Sequence, residues 1–416
     1  MADMHTPKKY ILKTVRVLRN EGARSLGVKS LKKIAEKLEK QDVHHPARVG
    51  FDSIVDRQDV MRADLSKLVK TPSNKKSKAL KVINWVISPP SNGGGHQNMF
   101  RFIEHLDKNG YVNNIYLYST HDSMTTAQAA ENVSKYATLT KAKFFYYKRD
   151  KKLAESDALF ATGWETAYPV LNEKTDAKKF YFVQDFEPLF YPMGTEYILA
   201  ENTYKFNFHG ITAGKWLAKK LHSEYSMKCN SYDFGANEDL YKFTSSKERK
   251  EVFFYARPVT ERRAFDLGIM TLELFHKQHP EYVINLAGWD VSNYKIPFPY
   301  VNHKSLRLEE LSDLYNKCAV GLVLSLTNMS LLPLELLACG TIPVINDGEN
   351  NRLVSDNSYL AYTQPSPVEL AQKMSDIVAR KNLPAYAKKA ARSVKGASWD
   401  TAKDDFMKAL KRGLDA

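Results

Sequence analysis

Residues 321–347, GLVLSLTNMSLLPLELLACGTIPVIND, decide how this chain is read. GLVLSL is a short continuous apolar run, the pattern of a strand buried on both faces. Asn328 and Ser330 are good helix N-cap residues. LLPLELLAC then reads as a helix, with Pro333 tolerated in its first turn and Gly340 as its stop. TIPVIND returns to a strand. Strand, helix and strand in this order predict a parallel βαβ unit.

The same rhythm extends outward in both directions. KVINWVI, NNIYLYS, KFFYYK, ALFATGW and KFYFVQD read as strands, and helical stretches follow Gly95, Ser123, Trp164 and Thr195. The alternation breaks at YDFGANEDLYKFTSSKERK, which is charged and rich in turn residues. A second series follows: VFFYARP, YVINLAGW, GLVLSL, TIPVIND and YLAYT, with helices over 261–279 and 367–380. The reading is an α/β fold of two doubly wound, Rossmann-like domains, 81–240 and 241–395, joined near 235–250. Residues 1–80 are set apart as a basic helical arm and linker. Residues 396–416, with SWDTAKDDFMKALKRGL, are a final helix with no assigned packing partner. Ligands of such sheets bind outside the carboxyl ends of the strands, so the cleft between the domains is the expected site.

Composition narrows the function classes. The chain has 416 residues, 43% of them hydrophobic, enough for sizeable cores. No apolar run approaches the ~18–20 residues of a membrane span. MADMHTPKKYILK shows no apolar signal segment, and the three cysteines, Cys229, Cys318 and Cys339, are scattered and odd in number. Both features lead to the expectation of a cytoplasmic protein without a disulfide framework or a zinc site. Net charge is +14, and residues 1–80 hold 19 Lys/Arg against 9 Asp/Glu, so most of the excess lies in the arm. The body is close to balanced and is not expected to bind nucleic acid. Within the arm, Ile11, Val15 and Leu18 share a helical face, as do Leu31, Ile34 and Leu38. That pattern fits a basic helix on an anionic membrane surface, and equally a helix packed on its own domain.

Three elements carry candidate chemistry. SPPSNGGGHQNMF follows the first strand; Gly93, Gly94 and Gly95 could let a phosphate or sugar come close to a helix start, and a plain tight turn fits as well. ARPVTERR places Arg257 at a strand end and Arg262 at a probable helix start. A helix dipole disfavours cations there, so something anionic should compensate, and two guanidiniums could clamp a diphosphate. Glu335 is a lone carboxylate in an apolar helix; ribose hydroxyls would satisfy it, and so would solvent.

Taken together, these elements resemble the GT-B glycosyltransferases of family 4. ARPVTER supplies an arginine and a basic residue five positions on, LELLACGTIPVI resembles the E-x-M-A-C-G-x-P-V-I signature, and YDFGANEDLY is similar to the interdomain segment. Within the family, SNGGGH, VQDFEPLFYP and SLTNMSLLPLE most resemble the rhamnosyltransferases of bacterial surface polysaccharides. The resemblance covers residues 81 to 390. It implies that Arg257 and Arg262 bind the donor diphosphate and that Glu335 holds the donor ribose. It places Gly94, Gly95, Thr327, Asn328, and the N–H groups of Ser330 and Leu331, along the donor. Gln184, Asp185 and Glu187 resemble the family's His-Asp position; Asp185 is expected to contact acceptor or reacting sugar, with Glu187 assisting. His96 would face donor or acceptor, or simply begin a helix.

Thr327 stands where the family has the first Glu of Glu-x7-Glu, and Arg262 where it usually has Lys. The Thr327 departure fits a 6-deoxy sugar, so the expected reaction is retaining transfer of rhamnose from dTDP-rhamnose to a saccharide acceptor. The nucleotide sugar is a substrate; no cofactor is expected, and no D-x-D metal motif is present. A lipid-linked acceptor at the inner face of the cell membrane would give the basic arm its purpose. Two rival functions remain: a catalytically silent sugar-nucleotide-binding module, which Thr327 favours, and a nicotinamide-dependent oxidoreductase. The latter lacks a ribose-binding acid near the second strand, where IYLYSTHD offers only the late Asp122.

Overall fold

The computed structural model describes residues 54–68, 80–91, 93–120, 124–244, 247–329 and 331–415. The membrane reading of the arm rests on residues outside that set. Among the described residues no helix is long and apolar enough to cross a membrane.

The first lobe is built on seven parallel strands: β1 (Val82–Ile87), β2 (Val112–Leu117), β3 (Lys143–Tyr146), β4 (Ala158–Ala161), β5 (Lys178–Val183), β6 (His209–Ala213) and β7 (Cys229–Tyr232). Their order is β3-β2-β1-β4-β5-β6-β7. The second lobe has six: β8 (Glu251–Tyr255), β9 (Val283–Ala287), β10 (Val301–Lys304), β11 (Cys318–Val323), β12 (Ile342–Asn346) and β13 (Ala361–Thr363). Their order is β10-β9-β8-β11-β12-β13, again parallel throughout. The two doubly wound sheets expected from the sequence are therefore present. The order reverses between β1 and β4 in one sheet and between β8 and β11 in the other. Loops leaving those strands are where such sheets bind ligands, and they carry the glycine run and the arginines.

Aromatic side chains fill the first core. Trp85 stacks on Phe160 at 4.2 Å and Phe160 on Phe180 at 4.8 Å. The final helix, Trp399–Asp415, leaves the second lobe and seals this sheet. Its Phe406 is fully buried, with Phe102 at 4.8 Å and Phe182 at 6.1 Å. Gly413 is required for the fit, because a β-carbon there would run into Phe180.

The boundary placed at residue 80 needs correction. Helix Arg57–Arg62 packs on the first lobe, not in a separate arm. Its buried Asp59 takes Arg149 Nε at 3.0 Å and the Tyr118 hydroxyl at 3.1 Å. The two crossings between lobes are strapped together near 236 and 397, where Ala236 N donates to Ala397 O at 2.8 Å.

Candidate functional site

Each lobe contributes one loop to a clasp across the cleft. From β5 comes Asp185, nearly buried at 9% exposure. Its Oδ1 accepts from Asn328 N at 2.8 Å and from Phe186 N at 2.9 Å. Its Oδ2 accepts the Thr327 hydroxyl at 2.9 Å and lies 3.3 Å from Arg262 Nε. The angle at that nitrogen is too poor for a hydrogen bond, so Arg262 pairs with Asp185 by charge and leaves Nε unbonded. Asn328 Nδ2 donates to Gln184 O and Ala213 O at 3.0 and 2.9 Å. It is not a helix N-cap: the helix runs Leu332–Ala338, Leu331 holds the cap position, and no side chain caps it. Ser330 lies outside the described residues. Gly340, with φ +82°, does stop that helix.

The second lobe surrounds the clasp with positive charge. Arg257 lies two residues beyond β8, donates from Nη1 to Gly288 O at 3.3 Å, and faces Trp289 at 5.5 Å. Arg262 stands on a short 3-10 turn, Glu261–Arg263, ahead of the helix Phe265–Gln278 rather than at its start. Its guanidinium stacks over Phe190 of the first lobe at 4.2 Å. Arg263, overlooked in the sequence although the doublet was in view, donates to Ser325 Oγ at 2.8 Å. Burial lowers the basicity of Arg263; Asp185 opposes that shift, whereas Arg262 and Arg257 add to it. Arg262 and Arg263 thus lie within electrostatic reach of Asp185, and Arg257 stands near enough to act on Arg263.

Behind the clasp, buried asparagines hold loop 325–329. Asn346 Oδ1 accepts from Ser325 N at 2.8 Å, and Asn346 Nδ2 returns a bond to Ser325 O at 2.9 Å. Asn351 and Asn350 also donate to carbonyls of this loop. A run of polar residues after a strand gave no sign of this scaffold.

Glu335 sits deep between the lobes. Burial pushes its carboxyl up to about 7; Arg101 and the Tyr241 hydroxyl pull it back toward the charged form. Arg101 belongs to the helix Gly94–Lys108 of the first lobe and lies 3.8 Å over Trp399. Leu331, at the start of the Glu335 helix, is half-buried beside the clasp loop.

Two acceptor expectations are corrected. Glu187 points inward: its Oε2 accepts from Trp164 N at 2.6 Å and from the Tyr181 hydroxyl at 3.0 Å. Burial, with Glu165 nearby, raises its pKa well above the usual carboxylate range. It fastens a helix start and does not face an acceptor. His96 folds back on its own loop, with Nδ1 3.3 Å from Ser91 N and Nε2 3.4 Å from Ser88 Oγ. The glycines ahead of it are not demanded by backbone strain, since Gly93 is extended at φ −69° and Gly94 and Gly95 are helical. What they leave is room: a β-carbon on Gly94 would meet nothing within 4 Å. Gly95 O accepts from Gln184 at 3.0 Å, bringing the loop beside the clasp.

Two facing α/β lobes, each with its switch-point loops turned into a shared cleft, define the GT-B class of fold. Residues 104–213 match the family described as "WsaF, N-terminal domain", and residues 250–375 match "WsaF, C-terminal domain". Both domains of one family are thus matched in order, over more than half of the chain.

A curated relative, the O-antigen biosynthesis protein RfbC of Myxococcus xanthus, is 34% identical over 266 residues. These cover 62% of this chain but 21% of that protein, so the chain spans about a fifth of its relative's length. Solved structures share the fold at low identity. TarM superposes with a TM-score of 0.64 at 9% identity, over 81% of this chain and 99% of its own. Anabaena HepE in complex with UDP and glucose gives 0.62 at 12%, over 80% and 99%. A glycosyltransferase of Rickettsia africae gives 0.57 at 13%, over 80% and 98%.

Proposed function

We propose that this chain is a glycosyltransferase of bacterial surface-polysaccharide synthesis, moving rhamnose from dTDP-rhamnose to a saccharide acceptor with retention. The observation that carries the reading is the grouping of Arg262 and Arg263 on loop 325–329 at the second lobe's switch point, with Arg257 near enough to act on Arg263. Matches to both WsaF domains and to an O-antigen biosynthesis protein support the class of substrate.

The second lobe would take the donor. The arginines and the N–H groups at the start of the helix Leu332–Ala338 face where charge grows as the nucleoside diphosphate leaves. Glu335, when ionised, accepts the single 3′-hydroxyl of the donor's deoxyribose. In the transfer step the bond from the anomeric carbon to the β-phosphate oxygen breaks. A bond from the acceptor oxygen forms on the same face, and the hydroxyl proton passes to the departing phosphate oxygen. No side chain need act as nucleophile.

Asp185 takes a different part from the one its sequence implied. Its carboxylate is held by a backbone N–H, a hydroxyl and a guanidinium, the donors a phosphate would use. We infer that donor phosphate displaces Asp185 and releases the clasp, so that binding is coupled to movement of the lobes. The displaced carboxylate then faces the acceptor.

The test is mass-tagged transfer from dTDP-rhamnose by the full chain. Arg257→Ala and Arg262→Ala should each lower the rate by roughly 100-fold or more; full activity in either removes its assigned role. Thr327, at a position where the family carries Glu, favours a second reading as a silent sugar-nucleotide binder. Nucleotide binding without turnover across a panel of acceptors would select it.

A further inference from the structure

On the hinge side, residues of both lobes enclose a cavity of about 630 Å³. It lies within the size range of small-molecule sites and, like many of them, between domains. Its walls come from the carboxyl ends of β6 and β7 in the first lobe, the segment after β12 in the second, and the start of the final helix. The arginine cluster also follows the carboxyl end of a strand, β8.

The lining has a definite chemistry. Ser355, Asn357, Ser358, Ser393, Ser398 and Thr401 bring hydroxyls and an amide, groups that both donate and accept. Asn357 Nδ2 donates to Ser393 Oγ at 2.8 Å and Ser355 Oγ accepts from Asn357 N at 3.3 Å, so this wall is ordered. The charges balance: Lys215 and Arg352 against Asp233 and Asp356. Lys215 pairs with Asp233 at 3.5 Å, and Arg352 Nη2 donates to Asp347 at 2.7 Å. Two basic and two acidic side chains line the cavity and both cations are paired, so its polar lining is neutral on balance. Phe234, Leu334 and Val394 give it an apolar floor. Leu334 directly precedes Glu335 in the helix Leu332–Ala338.

We propose that this cavity binds a neutral saccharide, the non-reacting sugars of the acceptor chain, whose hydroxyls pair with the serines and whose ring C–H faces rest on the apolar floor. The assignment rests on the glycosyltransferase reading, and its test separates the two. Saturation-transfer NMR on the full chain, with a rhamnose disaccharide as probe, reads the cavity; the melting shift produced by dTDP reads the donor site. Thr401→Trp, on the exposed first turn of the final helix, fills the cavity from one wall. Ser358→Trp fills it from another and guards against a folding defect in the first variant. We expect disaccharide signals in the wild type, at least a tenfold loss in both variants, and a dTDP shift unchanged in each. No disaccharide binding to the wild type, or equal binding by both variants, overturns the assignment. A missing dTDP shift with disaccharide binding intact would instead strike the donor reading alone.

Discussion

Asp185 is a carboxylate beside two arginines, Arg262 and Arg263, and its position has consequences that can be measured. If it competes with donor phosphate, removing its charge leaves the cradle free. Asp185→Asn should bind dTDP more tightly than the wild type, by up to about tenfold, or ~1.4 kcal/mol, in isothermal titration, while transfer falls. Weaker nucleotide binding by the variant would contradict competition.

Glu335 offers a pH test. Burial pushes its folded carboxyl up to about 7, above the ordinary glutamate value of 4.5. Both folded and unfolded forms are protonated well below 4.5, so no penalty exists there. Between 4.5 and 7 the unfolded chain releases the proton first, and stability falls as pH rises through that window. Glu335→Gln should flatten this part of the melting-temperature profile. Because the ionised form is the one that accepts the deoxyribose 3′-hydroxyl, affinity for thymidine, which carries no titrating phosphate, should rise from pH 6 to pH 8 in the wild type and not in Glu335→Gln. Parallel profiles would remove Glu335 from the donor site.

Among elements, the clasp joins a first-lobe loop to a second-lobe loop through residues 142 to 144 positions apart in the chain. Thr327 is 1% exposed and donates to Asp185, so a glutamate there, as in the family 4 enzymes that the sequence resembles, would set a second carboxylate against the first. Thr327→Glu should therefore part the lobes and raise the radius of gyration in small-angle scattering. An unchanged scattering profile would mean that the clasp does not hold the lobes.

Such pairings were not legible in the sequence. The central strands were, since VINWVI and KKFYFV are buried along nearly their whole length. CNSY and VNHK were missed because edge strands, half-exposed and polar, carry no apolar run. HGITA was missed as a short run broken by glycine. Arg257 and Arg262 stood out by spacing, and Glu335 as a carboxylate in an apolar helix. Glu187 was misread because a carboxylate next to proline at a strand end looks the same facing a ligand or a helix N-terminus.

At the scale of the whole molecule, the final helix crosses from the second lobe to the first, and Phe406 and Trp399 tie the lobes through Phe102 and Arg101. The basic excess of residues 1–80 is divided, since Arg57–Arg62 belongs to the first lobe through Asp59. We propose that the basic residues before this helix hold the enzyme at anionic lipid. Removing residues 1–50 should lower sedimentation with anionic vesicles and leave transfer to a soluble acceptor intact. Equal sedimentation would end that proposal.

The central claim is that the second lobe's arginines and loop 325–329 bind the diphosphate of an activated sugar. A crystal structure of the full chain with dTDP tests it most directly. The account expects the pyrophosphate about 3 Å from Arg257 or Arg262 and from the Asn328 N–H, with Asp185 turned away. A pyrophosphate bound elsewhere, with Asp185 still on Thr327 and Asn328, would contradict it.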